Sequence, residues 1–289
     1  MASEAQGSGA RVLETRVPEA RRRVGLGASL LALGAGLAAN TLLGPLFADL
    51  VAYPVSEAMM SQTLALDGFS LLVAAPASLA LGWAALRRKG WVPWLAFGPG
   101  LYAAYMFLQY IAGPRYLFAP ETLVLQLLVF VLGWAVAAQA WSAIGGALPP
   151  RADPRRARVL GTILVALALF VTSRYLPVLL GSMAAAPLAP EAQDDPGMFW
   201  TILLLDVGLV VPVAAWAGVA LWRGRGAAAW KAGYAVVGWF ALTGPSVAAM
   251  GLAMVARGDA HASLPLAGVF VAIGLAAVAA AAWLFRGLD

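Results

Sequence analysis

Apolar residues fall along this chain in long unbroken runs separated by short polar segments. The runs show neither the alternation of a half-buried strand nor the narrow stripe of a surface helix. Eight of them can be drawn, at 24–47, 69–86, 91–111, 122–146, 159–180, 198–222, 228–256 and 264–284. Each is close to or above the roughly 20 residues with which a helix crosses about 30 Å of hydrocarbon. Backbone amides and carbonyls find no water in lipid, so a spanning segment must be a helix or part of a closed barrel. Continuous apolarity excludes the barrel. The expected fold class is all-α, a polytopic membrane helix bundle of about eight transmembrane helices.

The intervening segments set the domain organisation. Residues 1–23 are polar and rich in Gly, Ser, Ala and Glu, and read as a short disordered cytoplasmic tail. The apolar run that follows is longer than a secretory signal's core, which makes an uncleaved first helix the expectation. A proline- and arginine-rich stretch at 147–158 reads as a cytoplasmic linker between a first half, 24–146, and a second half, 159–289.

Comparing the halves supports a duplication. Pro76 and Pro212, Arg87 and Arg223, and Trp94 and Trp230 each stand 136 positions apart, with Asp67 and Asp206 offset by 139. Both segments run in the same direction, so the arrangement predicted is two parallel four-helix repeats. Repeats of this kind place transporter sites at the junction between their halves.

Composition agrees with the pattern: 62% of residues are apolar and 11% charged, against about half and a quarter in soluble domains. Charge then adds orientation. Of the 19 basic residues, all but Arg115, Arg174 and Arg257 fall in the first, third, fifth, seventh and last of the segments outside or flanking the runs. Lys and Arg are retained on the cytoplasmic side of short loops, so both termini are expected in the cytoplasm. The net charge of +5 is accounted for by this rule and by anionic headgroups, and implies a lipid bilayer as partner and no nucleic acid. Cysteine is absent, which removes thiol chemistry.

Ionisable groups at membrane depth are costly and tend to be paired or functional. If the sixth helix starts at Pro196 with Asp195 as N-cap, Asp206 lies about 15 Å along it; Arg174 lies about 22 Å along the fifth. Both depths fall in the outer leaflet, where an Arg174–Asp206 ion pair is expected, as a packing latch or as part of a site. Asp67, next to Gly68 and the apolar run, reads as the N-cap of the second helix or as a second membrane acid. Tyr102, Tyr105 and Gln109 share one face of the third helix. They either line a polar cavity with Gln126 or hydrogen-bond neighbouring helices. Gly98, Pro99 and Gly100 suggest a flexible or broken third helix. The one histidine, His261, falls in a loop opposite the basic segments. No metal-ligand cluster, phosphate-binding glycine loop or Ser-His-acid set is visible, so no metal and no cofactor are expected, and an enzyme is disfavoured.

The segment DGFSLLVAAPASLALGWAALRRKGWVPWLAFGPGLYAAYMFLQYIAG, together with DVGLVVPVAAWAGVALWRGRGAAAWKAGY and GLAMVARGDA, resembles a group of uncharacterised multi-pass bacterial membrane proteins of unknown function. The resemblance covers most of the chain from Asp67 onward and implies a bacterial plasma-membrane location without assigning a substrate. The function expected from the residues is a small-solute transporter-like or ligand-sensing bundle with a small-molecule ligand near Asp67, Asp206 and Arg174. The alternative is a structural or accessory subunit.

Overall fold

The computed structural model describes residues 2–50, 53–118, 120–183, 187, 190–259 and 262–288, with side chains from residue 23 onward and 190–191 excepted. His261 lies outside the described residues. Within them the chain is all helix and loop. The eight long helices are α1 (Ala2–Leu43), α2 (Glu57–Leu86), α3 (Val92–Ala112), α4 (Leu123–Ile144), α5 (Pro154–Ser182), α6 (Pro196–Trp222), α7 (Ala227–Ala256) and α8 (Leu264–Phe285).

Seven of these are long and apolar enough to cross a membrane; α3 is not among them. It has the length, 21 residues, but its Trp, Tyr, Gln and Pro side chains lower its apolarity. The reason is position. Most of α3 is buried among other helices, and a helix enclosed by protein need not be compatible with lipid all round. The expected eight spans thus become seven apolar helices around an enclosed eighth. α1 also extends back through residues 2–22, where composition suggested a disordered tail.

α2 starts twelve positions before the apolar run that predicted it. Ser56 caps it, its hydroxyl accepting from the Met59 amide at 3.2 Å, so Asp67 sits inside the helix and the N-cap reading of that residue is wrong. α6 does start at Pro196 after Asp195, but the Asp195 carboxylate accepts from the Ser56 amide (3.1 and 3.2 Å) instead of capping its own helix. That bond ties the start of α6 to the start of α2.

Several features of residues 24–146 recur in residues 159–289. Within each, the first helix packs on the second and the third on the fourth, and α3 and α7 meet between the halves. α2 and α6 each carry a π-turn, Ser70–Ala74 and Asp206–Val210, in which the next residue's amide bonds five residues back to the carbonyl of Ser70 or Asp206. Proline follows two residues after each turn, and its ring clashes with the carbonyl four residues earlier. Widening the helix by one residue relieves that clash and re-aims the side chains. Both helices end alike, with Arg88 and Gly224 at φ 59° and 66°, again 136 positions apart. In this register Ser70, not Asp67, corresponds to Asp206.

Helices in lipid gain little from burying apolar surface against one another and associate through close packing and polar contacts. Glycine supplies the close approach at equivalent places. A Cβ on Gly82 would lie 3.0 Å from the Gly27 carbonyl oxygen, and one on Gly218 would lie 2.8 Å from that of Gly161. Gly98 and Gly100, read as a break, serve the same purpose in a continuous α3, against Gly238 of α7 and Gly133 of α4.

The arginine-bearing ends of the helices collect at one end of the bundle. There Arg23 donates to the Arg88 carbonyl at 3.0 Å, and the Arg156 guanidinium bonds the Arg286 carbonyl at 3.4 and 3.5 Å. Lys231 of α7, 6% exposed, donates to the Gly145 carbonyl just past α4 at 2.8 Å and lies 4.1 Å from the Trp141 ring centroid. This cation at a helix C-terminus fastens one half to the other. Lys231→Met keeps the stem and removes the charge. It is expected to cost about 1–2 kcal/mol, read as a lower midpoint in denaturant; an unchanged midpoint would show that the bond contributes nothing.

Candidate functional site

The residues singled out in the sequence divide into two groups. Asp67 belongs to a network inside the first half. Its carboxylate accepts from the Tyr110 hydroxyl at 2.9 Å and from that of Tyr53 at 3.3 Å, while Asn40 donates to the Tyr53 oxygen at 3.0 Å. Thr41 donates to the Asp67 carbonyl at 3.0 Å. Tyr53 precedes α2, and burial, followed by the charge of Asp67, pushes its phenol well above the usual range. It therefore remains protonated and donates. The network is enclosed, with Asp67 1% exposed.

Asp206 is the other acid, carried inward by the π-turn of α6. Tyr105 of α3 donates to one carboxylate oxygen at 2.6 Å and Tyr175 of α5 to the other at 2.7 Å. The expected ion pair with Arg174 is not made. Tyr175, one residue and about 100° further round α5, occupies the place assigned to the arginine. Arg174 is exposed, its guanidinium 5.6 Å from the Tyr175 ring centroid. It borders the same cavity as Asp206. Since Tyr105 comes from one half and Asp206 from the other, this bond crosses the junction, whereas the Asp67 bonds do not.

Beside Asp206 lies a cavity of about 410 Å³ between the halves. Its wall is built from the start of α2, the C-terminal parts of α3 and α5, the start of α6, and the facing portions of α7 and α8. All of these lie in the half of the bundle opposite the arginine-bearing loops. Tyr105, Gln109, Arg174 and Asp206 reach it. Asp67 and Tyr102 do not, and the Tyr102 hydroxyl is instead 2.9 Å from that of Ser70. Gln126, grouped with Gln109 from the sequence, is enclosed on α4 away from the cavity.

Three polar groups in the wall lack partners among the described residues. Gln109 is 6% exposed and its amide enters no hydrogen bond among the described residues. The Thr243 hydroxyl and Trp239 indole nitrogen of α7 are buried without acceptors or donors. Trp239 also packs on Tyr105, ring centroids 5.2 Å apart.

Sequence reasoning passed over Tyr53, Tyr110, Tyr175, Trp239 and Thr243. Tyr175 is hidden in the sequence by the more conspicuous Arg174. Thr243 lies four residues after Trp239, a one-turn spacing that is the only signal of their shared face. Among the described residues no three His, Cys, Asp or Glu side chains converge as metal ligands. No family model, curated protein or solved structure matches the chain.

Proposed function

We propose that the chain is a carrier-like membrane protein that binds a small solute in the cavity between its two four-helix halves. The observation that carries this reading is the position of Asp206. It is an acid held at membrane depth, bonded across the junction, and bordering a cavity in whose wall the Trp239 indole nitrogen and the Thr243 hydroxyl are without partners among the described residues. A volume of this size is in the range of small-molecule pockets, about 300–1,000 Å³. Buried polar groups without partners cost about 1–3 kcal/mol each, a cost a ligand or ordered water removes. Asp67, sealed in its own network, is a packing element in this reading.

The location proposed with it is a bacterial plasma membrane with both termini cytoplasmic, supported by the gathering of arginines at one end. The cavity then faces the outer half of the bilayer. A second reading, a structural or accessory subunit without a substrate, draws on the saturation of Asp206 by two tyrosines and on the Asp195 and Lys231 latches between halves.

Thermal unfolding of the detergent-purified protein against a panel of cationic, anionic and neutral solutes separates the two. A solute at 100 times its Kd stabilises by about 2.7 kcal/mol. The expected result is a shift produced by at least one solute, lost in Asp206→Asn and retained in Asp67→Asn. No shift with any solute, and both variants merely less stable, would favour the accessory subunit.

A further inference from the structure

Granting a solute site in this cavity, we infer that it selects a small lipophilic organic cation, an ammonium group on an aromatic or aliphatic body. Three observations carry the choice. The first is the charge of the wall. Among the described residues Asp194, Asp195 and Asp206 border the cavity with Arg174 as the one basic residue, which leaves this lining formally negative. In a space walled by protein and lipid the field is screened far less than in water.

The second is the apolar part of the wall. Tyr105, Phe170, Trp239, Phe240 and Phe270 present aromatic rings, and four methionines, Met59, Met106, Met250 and Met254, fill between them. Aromatic faces attract cations, most strongly where water is excluded. Methionine adapts to bodies of differing shape. An inorganic ion would find oxygen ligands on too few sides of such a cavity.

The third is the state of the polar groups. Both Asp206 oxygens already accept a hydrogen bond from tyrosine, so its attraction for a further ligand is mainly that of charge. The Gln109 amide enters no hydrogen bond among the described residues and is 6% exposed, and its oxygen is available to an ammonium N–H. Arg174 borders the same cavity as Asp206 without pairing to it. An arginine so placed offsets the acid while the cavity is empty and opposes a cationic ligand. Removing it should therefore tighten binding, an effect that a structural role for Arg174 does not produce.

The test is calorimetric titration of the detergent-purified full chain with phenethylammonium, phenylpropionate and benzyl alcohol, which share a ring and differ in charge. The cation is expected to bind best. Asp206→Asn is expected to weaken it about tenfold or more, and Arg174→Gln, at an exposed position, to tighten it severalfold. Preference for phenylpropionate, or weaker cation binding in Arg174→Gln, would overturn the charge class while leaving a solute site in place. Binding of none of the three would overturn it too. In that case a shift from another solute in the unfolding panel would still support the carrier reading, and its absence would remove both.

Discussion

Gly98→Leu is expected to leave the two halves unable to close on each other, so that the protein elutes from size exclusion as aggregate and not as a single sharp species. A Cβ at this position would lie 2.9 Å from the Gly238 carbonyl oxygen and 3.3 Å from its carbon. These are backbone atoms in the middle of α7, which cannot rotate aside as a side chain would. Even one added methyl in a closely packed contact costs about 1–3 kcal/mol, and three further carbons have nowhere to go. The opposite substitution is a control built into the same crossing. A Cβ on Gly238 would meet the Gly98 amide nitrogen only at 3.4 Å, ordinary contact, and alanine gains about 0.5–1 kcal/mol of helix preference over glycine. Gly98→Ala should therefore lower the melting temperature and Gly238→Ala should not. Equal effects from the two would mean that α3 and α7 do not cross as described.

The crossing also shows how far the sequence can be read. The number and class of the long helices were legible because the bilayer imposes a length and a uniform apolarity that few other contexts demand. The matching ends of α2 and α6 were legible because proline and the basic loop that ends each helix are fixed by local chemistry. α3 was harder, since enclosure by protein relaxes the demand for apolarity. Its Gly-Pro-Gly segment signals a break in isolation and a close approach in company. What decides between the two is whether Gly238 is opposite, and nothing local to residues 98–100 states that.

The site was legible in its polar members and not in their pairing. Gln109 and Tyr105 were found from a shared helix face, and Asp206 from its depth. Depth along an axis does not specify rotation, however, so the arginine was expected where Tyr175 stands. The π-turn compounds this, because one added residue shifts the register of everything before it relative to everything after. Asp67 stands three positions before Ser70, the residue that holds the place of Asp206 in the repeat. A carboxylate that is conspicuous in sequence can thus be an internal brace, while its apparent twin borders a cavity.

That division predicts distinct consequences for the two acids. Asp67→Ala is expected to cost about 2–4 kcal/mol, because the buried Tyr110 and Tyr53 hydroxyls both lose their acceptor and each unsatisfied group costs about 1–3 kcal/mol. The lower part of that range is favoured, since hydrogen bonds between membrane helices average nearer 0.6 kcal/mol and the unfolded chain in lipid finds other partners. Asp67→Asn keeps an acceptor oxygen and should lose less. Adding Tyr110→Phe to Asp67→Ala removes the orphaned hydroxyl along with its partner and should recover part of the loss, so the double variant is expected to be more stable than the sum of the two single changes. Denaturant unfolding of the four proteins measures the coupling directly. Strict additivity would mean that Tyr110 and Asp67 do not act on each other, and that the Asp67 network is not what holds α1, α2 and α3 together. Any solute-induced stabilisation should survive Asp67→Ala with its size unchanged, since Asp67 does not reach the cavity, and its loss there would place the solute in the first half instead of at the junction.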